Sequence, residues 1–226
     1  DASVLSDLNH DMFSDDFVSD ELSSDFNPLD LDRFVCASEN AWVISSAVNF
    51  CARVFPAAPL NSPDAPALIV LSRYLQDGFL HQHIREQGGA YGGGASYDSE
   101  TATFRFYSYR DPRLSDTFHD FNKSIDWFLT DTNSRRLEES ILGAIRTIDI
   151  PSSPAGAAEK SFNSDLFGYS DDIKRKFREG VLDVTKDSLL AVCEKYLLSR
   201  DSRLGVLASS VNQTALENDG FAVGRL

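Results

Sequence analysis

Leu68, Leu71, Leu75, Phe79 and Ile84 recur every three to five residues, with Ile69 and Leu80 beside them. That wide apolar face predicts a long helix over about 64–87. Asp64 or Ser62 stands where a cap is expected, and Pro66 suits the first turn. Gly88 and Gly89 are expected to stop the helix, because glycine takes the left-handed conformation without steric cost. Beyond the glycines, YGGGASY and TATFRFYSY alternate in polarity around a DSE turn and predict a hairpin. In its second strand, Phe104, Phe106 and Ser108 face one way, and Arg105, Tyr107 and Tyr109 the other.

Upstream, residues 32–38 and 41–55 read as extended, the latter with Trp42, Ile44, Val48, Phe50 and Val54 alternating imperfectly with smaller or polar positions. Downstream, Leu114, Phe118, Phe121, Ile125 and Phe128 share one face of a helix at 113–129. Asp131–Ser134 can cap a helix at 134–148, and PSSPAGAA reads as a loop. Helices at 158–167, 170–180 and 185–199 follow, the last opened by Thr185 with Asp187 in its first turn. Residues 202–210 read as a closing strand, residues 2–18 as a weak amphipathic helix and 19–30 as a linker. Strands that run together, followed by a block of helices, predict an α+β fold: a mostly antiparallel sheet with helices packed on one face. The expected organisation is an acidic N-terminal helix and linker at 1–30 and one α+β domain at 31–226.

Charge changes the list of partners. The net charge is -14, and residues 1–32 carry ten acids and neither lysine nor arginine. Such a surface repels phosphate backbones, so nucleic acid is not an expected partner. The chain has no apolar run long enough to span a membrane. Its three cysteines, Cys36, Cys51 and Cys193, sit among apolar neighbours without a C-x-x-C pair. Reduced, buried thiols and an intracellular setting, cytoplasmic or organellar, are expected.

Candidate chemistry is sparse. His81 and His83 point about 200° apart on a helix, which does not suit one ion, and zinc-type His/Cys spacings are missing. No metal is expected to be held by this chain alone. The GGAYGGG run follows a helix and lacks the lysine of a phosphate loop. G-x-S-x-G does not occur. Arg85 and Tyr91 flank the glycine break and are both donors, a chemistry suited to a carbonyl or a developing oxyanion. The plain alternative is an arginine that complements the helix dipole and a tyrosine that favours a strand, and spacing alone favours it.

The run SRYLQDGFLHQHIREQGGAYGGGASYD, followed by FRFYSYRDPRLSDTF, resembles the C-terminal half of the insulinase/pitrilysin metallopeptidases. R-x-x-G-G-A-Y-G, S-Y-R-D-P and the upstream AWVISSAVNF carry the likeness, over about residues 34–210. It is strongest to the presequence protease and falcilysin branch. The resemblance implies one of four related α+β modules, arranged as two halves around a chamber. It implies that the N-terminal half holds zinc through an inverted H-x-x-E-H motif, which this chain lacks. Carried over, Arg85 and Tyr91 become the catalytic contribution to a peptide substrate, with Gly88, Gly89, Gly92 and Gly93 leaving space beside it. The chain by itself is then expected to be inactive, its partners the H-x-x-E-H half and peptide substrates. A catalytically silent structural or peptide-binding module of the same fold is the alternative.

Overall fold

The computed structural model describes residues 39–198 and 202–225. The helix expected at 2–18, the linker at 19–30, the strand at 32–38 and Cys36 lie outside them.

Six strands form one sheet in the order β3-β4-β2-β5-β1-β6. They are β1 (Glu39–Ile44), β2 (Asn49–Pro56), β3 (Gly92–Asp98), β4 (Thr103–Asp111), β5 (Arg203–Ser209) and β6 (Ala222–Arg225). The pairings β2–β4, β3–β4 and β2–β5 are antiparallel. β1 runs parallel to both β5 and β6. The expected mostly antiparallel α+β sheet is therefore present, with a parallel corner at one edge.

The extended stretch at 41–55 is two strands. Between them Ser46 Oγ donates to Val48 O and accepts from Val48 N, at 3.0 and 3.1 Å, which closes a tight local turn. β1 and β2 do not pair with each other, because β5 inserts between them.

The helix α1 (Ala65–Leu75) opens at Asp64 with Pro66 in its first turn. Asp64 does not cap it. Its carboxylate instead accepts from Lys195 Nζ at 2.6 Å and Tyr196 OH at 2.7 Å. From Gln76 to Gln87 the same helix continues as a π-helix, a widening that the spacing did not reveal. Leu68, Leu71, Leu75, Phe79, Leu80 and Ile84 are buried as expected.

The remaining helices are α2 (Ser115–Thr130), α3 (Ser134–Ile148), α4 (Pro154–Phe167), α5 (Asp171–Leu182), α6 (Lys186–Val192, extended by a π turn over Cys193–Leu197) and α7 (Gln213–Asn218). α4 starts four residues before its expected first turn. Ser153 Oγ accepts from Gly156 N at 3.2 Å and Pro154 takes the first helical position, so part of PSSPAGAA is helix. Thr185 and Ser188 form a reciprocal capping box on α6.

The core lies between one face of the sheet and the helices. Cys51 and Phe55 of β2 and Phe104 and Phe106 of β4 meet Leu68, Leu71 and Leu75 of α1 and Phe121, Ile125 and Phe128 of α2. The Phe106 ring stacks on Phe121 with centroids 5.4 Å apart and meets Phe55 edge-on at 5.9 Å. Each fully buried ring or leucine contributes roughly 2–3 kcal/mol. A second cluster under the parallel corner joins Ala41, Val206, Ala208 and Leu216. On the opposite sheet face, Trp42, Phe50, Tyr107, Tyr109 and Leu207 remain partly or well exposed.

Candidate functional site

The π-helix ends at a turn whose two glycines have different jobs. Gly89 takes φ +79°, the left-handed conformation expected of the helix stop. Gly88 keeps a right-handed φ of -80°. A Cβ there would lie 2.0 Å from Arg113 Nη2 and 2.5 Å from Ile84 O, so Gly88 is a glycine for want of space. Backbone N–H groups of Gly89 and Ala90 donate to Arg85 O and Ile84 O, each at 3.1 Å, and close the turn.

Arg85 and Tyr91 stand on either side of this turn, and both are exposed, Tyr91 by 64%. No hydrogen bond or ring contact joins their side chains among the described residues. Tyr91 N donates to Arg110 O at 3.3 Å, its ring lies 5.5 Å from that of Tyr109, and the Arg110 guanidinium sits over it at 5.6 Å. Arg110 has φ +51°, a strained conformation for a residue with a side chain. No carboxylate among the described residues pairs with Arg85 or Arg110. The turn thus presents two unpaired cations and two phenols on a strongly acidic chain. Donors of this kind suit a carbonyl or carboxylate oxygen.

A buried bracket holds the turn from behind. Arg113 Nη1 donates to Asp120 Oδ2 at 2.9 Å and Nη2 to His83 O at 3.3 Å. Asp111, fully buried, accepts from Arg113 N at 3.0 Å and from Thr117 Oγ1 at 2.7 Å. Asn49 Nδ2 donates to Asp111 O and Arg113 O at 3.3 and 3.2 Å. The S-Y-R-D-P run therefore supplies Tyr109 and Arg110 to the site and Asp111 to its support. In the sequence the S-Y-R-D-P motif assigns no task to these residues. The positive φ that marks Arg110 has no sequence signature in a residue other than glycine.

Gly92 underlies the Tyr109 ring, where a Cβ would lie 2.4 Å from Cε1, and Gly93 admits Ile84, 2.5 Å from such a Cβ. Gly88, Gly92 and Gly93 are thus filled by the chain's own neighbours. Over Gly89 the nearest atom is Pro112 Cγ at 3.6 Å.

Other chemistry recedes. His83 stacks on Phe79 with centroids 3.7 Å apart and its Nδ1 bonds Phe79 O at 2.9 Å, whereas His81 Nδ1 lies 3.4 Å from Glu86. Among the described residues no group of three or more His, Cys, Asp or Glu could hold a metal ion. Asp111 and Asp120 are taken up by Arg113, so a zinc ion finds no donor set in these residues. Burial pushes the thiols of Cys51 and Cys193 up to about 12, which keeps them protonated and poorly nucleophilic. No helix of the described residues is long and apolar enough to cross a membrane.

The chain is similar to known proteins over a span that contains this turn. Residues 39–203 match the family model described as the PreP C-terminal domain. The mitochondrial presequence protease of Mus musculus is 35% identical over 163 residues, which is 72% of this chain and 15% of that protein. Its counterpart in Saccharomyces cerevisiae is 36% identical over 166 residues, 73% of this chain and 16% of that protein. The chain therefore spans about one-sixth of the length of these relatives. The crystal structure of pitrilysin superposes with a TM-score of 0.59 at 15% identity, over 83% of this chain and 22% of that one. A peptidase M16 inactive domain from Pseudomonas fluorescens gives a TM-score of 0.59 at 13% identity, over 76% of this chain and 43% of that one. The family model runs from β1 into β5 and covers most of the chain, and relatives more than 30% identical agree with it: the chain belongs to the PreP C-terminal domain family.

Proposed function

We propose that this chain serves as the C-terminal module of a longer zinc-dependent peptidase and that Arg85 and Tyr91 are its contribution to catalysis. Peptides are the substrates, and the module's partner is the half of the peptidase that carries H-x-x-E-H. The zinc belongs to that half. In this reading the guanidinium of Arg85 and the phenol of Tyr91 donate hydrogen bonds to the carbonyl oxygen of the bond under attack. Both hold the oxygen in place and stabilise the negative charge that grows on it. Of the four glycines, Gly89 leaves the most room beside the peptide, while Gly88, Gly92 and Gly93 give their space to Arg113, Tyr109 and Ile84.

The observation that carries this reading is the pair itself: two exposed donors, without an acidic partner among the described residues, on either side of one hydrogen-bonded turn. In the peptidase that contains the chain, Tyr91→Phe is expected to lower kcat about 100-fold with a smaller change in KM. Unchanged turnover would remove Tyr91 from the reaction. The alternative, a catalytically silent module, draws on the lack of a metal donor set among the described residues. It predicts that Arg85→Ala and Tyr91→Phe both leave peptide turnover intact.

A further inference from the structure

The sheet face that no described element covers carries a hollow next to the Arg85–Tyr91 turn. Its floor is Ala52 and Gly205, directly paired across β2 and β5. Phe50 and Leu207, the next pair on that face, stand beside the floor, with Trp42 and Tyr109 at its two ends. The space is about 350 Å³, and its lining is almost wholly apolar. A Cβ placed on Gly205 would meet nothing within 4 Å. Trp42 and Tyr109 are 37% and 39% exposed, so large rings stand in water around a floor of the smallest side chains.

Tyr109 belongs to both places. Its ring contacts Tyr91 on one side and walls the hollow on the other. With strands about 4.8 Å apart and residues about 3.3 Å apart along them, the floor lies two to three strands across and three residues along from Tyr91, roughly 15 Å away, or about four to five residues of extended peptide. We propose that this hollow is a substrate subsite that takes a large apolar or aromatic side chain, about four to five residues from the carbonyl held by Arg85 and Tyr91. The inference rests on the reading above and adds a side-chain preference to it. A volume of this size accepts a phenylalanine or leucine side chain, and burial against Trp42, Phe50 and Leu207 rewards it. A charged side chain would lose its hydration there without finding a partner.

The test uses the peptidase that contains this chain and a peptide series with one phenylalanine or one serine placed about three to six residues from the cleaved bond. Wild type is expected to show a KM about tenfold lower for phenylalanine at one of these positions. Gly205→Ile fills the hollow from its floor, at a strand position with ordinary backbone angles and open space. It is expected to bring the tenfold difference down to about one, and Ala52→Leu, from the paired position, to do the same should Gly205→Ile fail to fold. A wild-type enzyme without the preference overturns the subsite, as does a preference that survives a folded filling variant. If another module of the peptidase covers this face, the filling variants weaken assembly in sedimentation and slow both peptides alike, which also overturns it. Tyr91→Phe separates the two ideas: an unaffected kcat there defeats the catalytic reading, whereas a lowered kcat beside a persisting preference defeats only the hollow.

Discussion

Arg110 shows how one residue can be strained and still be retained. Its φ of +51° costs on the order of 1 kcal/mol relative to glycine, yet it places a cation over the Tyr91 ring and a carbonyl on the Tyr91 N–H. We read Arg110 as a positioning residue for Tyr91. Arg110→Gly is expected to raise the melting temperature of the module by a few degrees while lowering kcat of the full peptidase about tenfold. Arg110→Lys, which restores the cation, should recover most of the turnover. A merely structural arginine would give the opposite order, with glycine as active as wild type. Gly88 makes the complementary case. The sequence presents Gly88-Gly89 as one stop signal, but only Gly89 needs the left-handed angle. Gly88 is dictated by Arg113, twenty-five positions away, and no local pattern could announce that contact.

At the scale of elements, short-range patterns were readable and long-range ones were not. The apolar stripe of α1, the alternation of Phe104 and Phe106 and the Thr185 cap all follow from neighbours within one or two turns. The split between β1 and β2 depends on β5 lying between them, and the widening at Gln76–Gln87 on how that helix packs along β3. α7 and β6 are too short to carry a period and were not anticipated. Arg85 and Tyr91 were visible as a pair through the motif, while their support by Asp111, Arg113, Asp120 and Asn49 emerges only once the strands are paired. That support can be tested. Asp120→Ala strands the Arg113 guanidinium and is expected to cost about 2 kcal/mol, read as a lower urea midpoint. It should also loosen the turn, so hydrogen exchange at Gly89 and Ala90 is expected to accelerate while the β2 amides stay protected.

Over the molecule as a whole, one ion pair ties the beginning of the helical layer to its end. Hydrogen bonds from Lys195 and then Tyr196 hold the Asp64 carboxyl below the usual carboxylate range. Because the folded value is the lower one, this contribution is present in full above the unfolded value near 3.9 and fades as the pH falls through the folded one. Asp64→Asn is therefore expected to destabilise the chain at pH 7 but hardly at pH 2. The urea midpoints of mutant and wild type should converge on the acid side. A constant gap across the whole range would mean that packing, not charge, sets the contribution of Asp64.

The parallel corner has a consequence for synthesis. β1, the first described strand, pairs only with β5 and β6, which lie some 160 residues later. On the ribosome, β3, β4 and α1 can assemble early, whereas β1 must wait for β5 and β6 to emerge. A nascent chain stalled after Leu198 is expected to show a protected hairpin and an unprotected β1 in limited proteolysis. Extension of the chain past Arg225, which adds β5 and β6, should close that edge in a single late step.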